Sequence, residues 1–138
     1  MRLLGIDYGF KRIGLAVAEA EFGIITPKPT LNASGTLRID AENLAAVAKK
    51  EYADKIVLGL PIEEDGNPGK MARVCQTVAE HLRERGYTVD LVDERYSSVE
   101  AEAALRQEDL KASQRRKLRD GEAARILLER YLENLEKA

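Results

Sequence analysis

Hydrophobic residues in the first part of the chain fall into short runs that are typical of β-strands. Leu3–Asp7 and Ile13–Ala18 are two such runs, and the glycine-containing turn between them indicates an antiparallel hairpin. A third strand is predicted at Ile24–Leu31, whose two prolines suit the edge of a sheet because proline lacks the N–H that a central strand donates. The chain is therefore expected to open with three antiparallel strands.

In the middle of the chain, segments with apolar residues at helical spacing alternate with short apolar runs typical of buried strands. A helix is predicted over residues 40–52 with Asp40 as its N-cap, burying Leu44, Val47 and Ala48. Lys55–Leu60 is a short continuous apolar run, as expected of a buried parallel strand. A second helix is predicted over residues 70–85, closed by a glycine, and another strand follows at 88–92.

The last third of the chain is predicted to be mostly helical. Residues 97–100 resemble a capping box that opens a helix to about Arg106. Residues 107–121 are polar and weakly periodic, which favours a mobile loop or a short surface helix. Asp120 then begins the final helix, whose expected buried stripe consists of Ala124, Leu127, Leu128, Tyr131 and Leu135.

This order of elements predicts one α/β domain over residues 1–138. Three antiparallel strands followed by parallel strands form a mixed sheet, and the helical connections cover both of its faces. No internal repeat or linker divides the chain. Ligands in such sheets gather at the carboxyl ends of the parallel strands, so the candidate chemistry is expected there. Gly59-Leu60-Pro61 could shape the cleft floor or form an ordinary exit from a strand into a loop.

Composition and charge exclude several classes of protein. The 138 residues are 44% hydrophobic and 33% charged, as in a globular domain, and the net charge of −2 does not favour a polyanion partner. Cys75 is the only cysteine and His81 the only histidine, which excludes an internal disulfide and cysteine- or histidine-rich metal sites. Without a membrane-spanning run or a signal-peptide pattern, the protein is expected to be cytoplasmic.

Three acidic residues stand where predicted strands end or a helix begins. Asp7 ends the first strand, Glu94 follows the fifth, and Asp120 opens the last helix, so all three can reach one cleft. Each also has a simpler explanation. Asp7 could satisfy backbone N–H groups of the turn that follows it, Glu94 could pair with Arg95, and Asp120 could only cap its helix.

Converging carboxylates would have a definite chemistry. They repel one another unless a divalent cation lies among them, and oxygen ligands select Mg²⁺ or Mn²⁺ over zinc. Two such ions ~3.5–4 Å apart suit the attack of water on a phosphodiester.

Basic residues near these acids are candidate phosphate ligands. Lys11 and Arg12 flank the first turn beside Asp7, where they could hold a phosphate or simply form a solvated hairpin tip. A second cluster precedes Asp120 and consists of Lys111, Arg115, Arg116, Lys117 and Arg119. Such a cluster is often only a solvated face, but it could contact backbone phosphates without reading sequence, and binding would then weaken steeply with salt.

Four segments in order resemble the RuvX family, also called YqgF. They are "GIDYGFKRIGLAVAE", "VLGLPIEEDGNPG", "VDERYSSVEAEAAL" and "RDGEAARILLERYL", and the resemblance covers essentially the whole chain. It implies an RNase H-like fold similar to that of Holliday-junction resolvases. It also implies a nuclease that processes the 5′ end of pre-16S rRNA during ribosome maturation.

The resemblance implies that Asp7, Glu94 and Asp120 are the catalytic residues and ligate Mg²⁺ or Mn²⁺. RNase H-like resolvases usually carry a fourth carboxylate three residues after the third, and that position is Ala123 in this chain. The implied partner is structured RNA or branched DNA, bound by a monomer or a weak homodimer. A junction resolvase and a nucleic-acid-binding module for ribosome assembly remain alternatives.

The first hairpin also resembles the phosphate-binding hairpin of sugar kinases and actin-like ATPases. Those enzymes close a cleft between two such domains, and 138 residues supply only one. A kinase is therefore not expected from a monomer of this chain.

Overall fold

The computed structural model describes residues 1–60, 69–93 and 112–137, and in the last of these ranges it describes the side chains of residues 121–135. The elements in chain order are β1 (Arg2–Tyr8), β2 (Arg12–Glu19), β3 (Ile24–Asn32), α1 (Leu37–Lys50), β4 (Lys55–Leu60), α2 (Lys70–Glu84), β5 (Val89–Asp93) and α3 (Ala112–Lys137). The predicted helix at 97–106 and residues 61–68 between β4 and α2 lie outside the described residues.

The five strands form one mixed sheet in the order β3-β2-β1-β4-β5. β1 pairs with β2, and β2 with β3, in antiparallel fashion, whereas β4 pairs in parallel with both β1 and β5. The predicted mixed sheet and the edge position of β3 are therefore confirmed. β1 lies at the centre, where the antiparallel half meets the parallel half.

The alternation of side chains divides the core into two layers. Leu4 and Ile6 face α1 and α2, whereas Leu3 faces α3. Gly5 shares the face of Leu3, and a Cβ atom there would lie 2.6 Å from Cγ of Leu128. The glycine thus lets α3 approach β1 closely enough for Leu128 to fill the space above the strand.

Contacts along α3 show that this helix crosses the sheet. A Cβ atom on Gly121 would lie 3.4 Å from Pro27 on the edge strand β3, and Leu128 lies over Gly5 on the central strand. Farther along, the Tyr131 hydroxyl reaches Asp90 on β5 at 2.5 Å. One helix therefore covers β3 at one end and β5 at the other.

The boundary of the first helix differs from the prediction. α1 begins at Leu37 after the extended residue Thr36, so Asp40 is not the N-cap. Its backbone N–H already donates to Thr36 O at 3.0 Å within the first turn. The side chain of Asp40 is fully buried because it has partners inside the protein, which are described below.

The last helix also differs from the prediction at both ends. It starts at Ala112, so residues 112–120 belong to one long helix and not to a mobile loop or a separate short helix, and Asp120 is not its N-cap. Gln, Arg, Lys and Leu are strong helix formers and continue the helix where the apolar period fades. Leu135 was predicted to be buried but is 45% exposed, because the apolar cluster that α3 covers extends along this helix only to Leu132. Leu135 lines a surface pocket together with Phe22.

α2 ends at Glu84, one residue before the predicted boundary, and Gly86 follows it with a φ of 93° that is accessible to glycine at little cost. Cys75 is buried in the core between the sheet and the helices. In the described part of the chain, no helix is long and apolar enough to cross a membrane.

A polar cluster ties α3 to the starts of β4 and β5. Lys55 Nζ lies 3.1 Å from the Asp90 carboxylate and 3.2 Å from the Tyr131 hydroxyl, which itself donates to Asp90. The hydrogen bond from Tyr131 and the nearby ammonium group of Lys55 hold the pKa of Asp90 below its ordinary value of 3.8. A lowered pKa means that the folded state favours the charged carboxylate.

We predict that Asp90→Asn lowers the free energy of unfolding by about 1 kcal/mol at pH 7. The effect is modest because the Asp90 side chain is 41% exposed and solvent screens its charge. Since the pKa is lower in the folded state, this stabilisation exists above pH 3.8 and is lost as the pH falls through the folded pKa. Urea unfolding of both proteins at several pH values measures it, and a difference that grows on acidification would contradict the assignment.

Candidate active site

Asp7 lies near the carboxyl end of the central strand. It pairs with Gly14 of β2 and is half-buried. Because side chains alternate along a strand, Asp7 shares the α3 face with Leu3 and Gly5. The structure therefore places this predicted acid at the edge of the sheet where ligands of α/β proteins gather.

Glycines flank Asp7 on both neighbouring strands. Gly14 is its direct partner on β2. On β4, Leu58 pairs with Ile6, so Gly59 comes level with Asp7 and shares the α3 face with Val57. The neighbours that would normally cover a side chain on this face are both glycines, so neither adjacent strand places a side chain beside the carboxylate. Gly59 was expected to shape the cleft floor, and its register is consistent with that role.

The turn after β1 requires a glycine for steric reasons. A Cβ atom on Gly9 would lie 2.6 Å from the carbonyl oxygen of Arg12. This close approach brings the chain back into β2 directly beside Asp7. Lys11 is exposed at the turn and its carbonyl accepts a 2.9 Å hydrogen bond from the N–H of Ala33, while Arg12 is half-buried.

A buried polar pair anchors the residue next to Asp7. The Tyr8 hydroxyl donates to Oδ2 of Asp40 at 2.5 Å, and the N–H of Ser34 donates to Oδ1 at 2.7 Å. Both side chains are almost completely shielded from water, and burial together with the carboxylate raises the pKa of Tyr8. The pair links the end of β1 to the first turn of α1. Nothing in the sequence pattern predicted it, because Asp40 was expected to cap the helix.

The aromatic residues near this edge have different environments. Tyr8 is only 4% exposed, so its ring does not present a stacking face to solvent. Phe10 at the turn is 59% exposed and remains available for stacking on a base. Tyr96 lies outside the described residues.

The side chains of the other two predicted acids are outside the part of the chain that the structure describes. Glu94 lies outside the described residues, and Asp120 belongs to the helical backbone of α3 without a described side chain, as do Arg115, Arg116, Lys117 and Arg119. Among the side chains that the structure does describe, no group of three His, Cys, Asp or Glu residues could hold a metal ion. The convergence of Asp7, Glu94 and Asp120 therefore stays a prediction.

The strand that leads to Glu94 alternates between the two faces of the sheet. Asp90 contacts Tyr131, and Val92 packs into the cluster that α3 covers. Leu91 belongs to the opposite layer, and Asp93 takes the side of Leu91 by alternation. Asp93 is the last residue of β5, but it lies on the opposite face of the sheet from Asp7.

The position of the usual fourth carboxylate is apolar. Ala123 is 2% exposed and contributes to the core. The nearby Glu122 is engaged by Arg125 at 2.9 Å, and this ion pair, with Glu129, raises the pKa of the guanidinium. The described part of α3 thus supplies no substitute for the missing acid.

We predict that Tyr8→Phe destabilises the protein by about 1–3 kcal/mol, because it leaves a buried carboxylate oxygen of Asp40 without its donor. Tyr87→Phe is the matched control, since it removes a hydroxyl that donates to the Ala45 carbonyl at 3.3 Å from a half-buried position. Denaturant unfolding compares the two. Equal losses in both variants would contradict a special role for the Tyr8–Asp40 pair.

Comparisons with known proteins cover nearly the whole chain. The sequence pattern of a family described as "RuvX: Holliday junction resolvase" matches residues 1–134. Relatives from Burkholderia ambifaria and Burkholderia multivorans are each 39% identical over 137 residues, covering 96% of this chain and 89% of theirs. Both relatives carry the name "Putative pre-16S rRNA nuclease".

Solved structures share the fold. Thermus thermophilus RuvC in complex with a Holliday junction substrate aligns with a TM-score of 0.63 and 15% identity, covering all of this chain and 97% of that chain. A ROK family protein from Streptococcus pneumoniae in complex with sucrose aligns with a TM-score of 0.53 and 17% identity, covering 80% of this chain but 40% of that one. At these identities the likenesses establish the fold alone, and the predicted RNase H-like architecture is confirmed.

Proposed function

The chain belongs to the RuvX family, and on that premise we propose that it is a metal-dependent nuclease that hydrolyses phosphodiester bonds in structured RNA, with pre-16S rRNA as its substrate. The observation that carries the proposal is the position of Asp7. This carboxylate lies at the carboxyl end of the central strand and is flanked on its own face by two glycines. Such an arrangement leaves room for a phosphate group directly beside an acid.

Glu94 is the proposed second acid. Asp90 and Val92 take the α3 face of β5, and a residue two positions after Val92 in the same alternation would take that face too. This parity favours Glu94 over Asp93 as the partner of Asp7. Asp120 is the proposed third acid, on the basis of the family motif "RDGEAARILLERYL".

The donor set fits hard divalent cations. Asp7, Glu94 and Asp120 offer only oxygen atoms, which suit Mg²⁺ or Mn²⁺ and not zinc. When bound, a pair of such ions would supply Lewis-acid activation of water and of the scissile phosphate.

The chain's own residues would perform the remaining tasks. Pairing with β2 holds Asp7 itself and pairing with β4 holds β1 up to Ile6, while Gly14 and Gly59 place no side chain in the path of an approaching phosphodiester. Lys11 and Arg12 lie at the adjacent turn, where they would neutralise phosphate charge. The basic segment of α3 at residues 115–119 would contact the backbone of the substrate farther from the cut.

A junction resolvase is the second candidate, because the family description and the fold of RuvC both favour it. A resolvase must cut two symmetric strands and so acts as a dimer, whereas trimming one RNA end needs a single site. Cleavage of a four-way DNA junction and of an RNA hairpin with a 5′ extension, compared at equal enzyme concentration, distinguishes the two activities. A ribosome-assembly module would bind the RNA without cutting it.

We predict that Asp7→Asn lowers the rate of RNA cleavage with Mn²⁺ by at least about 100-fold, because it removes a charged ligand from the proposed metal site. Folding and RNA binding should persist, as unfolding curves and a filter-binding assay will show. Asp54→Asn is the control, since Asp54 lies before β4 and accepts a hydrogen bond from the N–H of Arg2. Undiminished cleavage by Asp7→Asn would refute this site.

We also predict that Glu94→Gln abolishes cleavage while Asp93→Asn retains it within about three-fold, because the two acids are expected to take opposite faces of the sheet. The same RNA and Mn²⁺ concentration serve for both variants. The reverse result, loss in Asp93→Asn alone, would show that the alternation of β5 does not continue to Glu94.

A further inference from the structure

A groove of about 640 Å³ runs between the edge strand β3 and α3. Its lining consists of Arg12, Pro27, Lys28, Pro29, Thr30, Asn32, Gly121 and Glu122. Arg12 pairs with Asn32, and this pair lies at the same edge of the sheet as the turn that follows Asp7. The groove therefore begins beside the candidate active site and follows β3 away from it.

An irregularity in the sheet connects this groove to Asp7. Ile13 pairs with Leu31 and Leu15 with Lys28, so the single residue Gly14 faces two residues of β3, Pro29 and Thr30. Two residues facing one define a β-bulge. Bulges often lie next to active sites, where they change the direction of a side chain. Gly14 also pairs with Asp7, so Asp7 of β1, Gly14 of β2 and the bulge of β3 lie side by side across the sheet. Only a glycine separates the carboxylate from Thr30.

The polar lining of the groove suits a phosphate–sugar backbone. Arg12 supplies a cation, and the Thr30 hydroxyl and the Asn32 amide supply neutral donors. The acid in the lining, Glu122, is neutralised by its ion pair with Arg125. The prolines offer apolar surface without N–H groups.

We propose that this groove binds the single-stranded segment of nucleic acid that adjoins the cleaved phosphate, with Thr30 and Asn32 as contacts to its backbone. The inference rests on the proposed nuclease function and adds the path of the substrate. The groove volume lies in the ~300–1,000 Å³ range of small-ligand sites, so it fits a few nucleotide units. A double helix is wider than its own ~12 Å major groove, so a space of this volume suits a single strand better than a duplex.

The test introduces a negative charge into the groove. Thr30→Glu in an Asp7→Asn background should raise the Kd for a fluorescent 12-nucleotide single-stranded RNA by at least about ten-fold, because the carboxylate repels phosphate. Thr26→Glu is the matched control on the same strand. It makes the same chemical change at an exposed position outside the groove lining, and should change the Kd less than two-fold. A blunt RNA duplex should show no difference between the two variants.

Photocrosslinking gives an independent measurement. Cys75 is buried, so a benzophenone maleimide will label mainly a cysteine introduced by Asn32→Cys or by Thr26→Cys. Crosslinks to the 12-nucleotide RNA should form at position 32 at least about five-fold more often than at position 26. Unfolding midpoints verify that each variant is folded.

Equal Kd values for the two glutamate variants, or equal crosslinking at the two positions, would overturn the proposal. Neither measurement requires cleavage, so the groove is tested even if Asp7→Asn remains active and the proposed catalytic site fails. Single-stranded DNA of the same sequence, run in parallel, shows whether the groove depends on the 2′-hydroxyl.

Discussion

The contact between Gly5 and Leu128 determines how the two layers of this protein fit together. A glycine in the central strand lets a leucine of α3 approach where any Cβ atom would collide with it. The position of α3 over β1 then sets which strands the helix covers on either side, from Pro27 on β3 to Asp90 on β5. The groove beside β3 and the polar cluster at β5 are both products of that one close approach.

The candidate active site depends on a rigid end of β1. Hydrogen bonds to β2 and β4 hold the strand on both sides, and Tyr8 is tied to the buried Asp40 on the other face of the sheet. Asp7 and Tyr8 are consecutive and therefore point to opposite faces. The position of the proposed catalytic residue Asp7 is thus supported by Tyr8, whose side chain is buried and hydrogen-bonded to Asp40. Such support matters because catalytic geometry tolerates little displacement.

The sequence predicted the strands and their order well because their apolar runs are short and separated by glycine turns. It predicted Asp7 at a strand end for the same reason. It failed at Asp40, since an aspartate near a helix start looks like a cap whether or not a distant tyrosine binds it. It also missed the bulge opposite Gly14, because register depends on pairing between strands and leaves no local pattern.

The two prolines of β3 have a consequence for how copies of the protein meet. An edge strand normally offers a row of unpaired N–H and C=O groups to which another chain can add, and this is a common start of aggregation. Pro27 and Pro29 interrupt the row of donors in the middle of β3. With fewer N–H donors on this edge, the strands of two neighbouring molecules pair less readily into a continuous sheet.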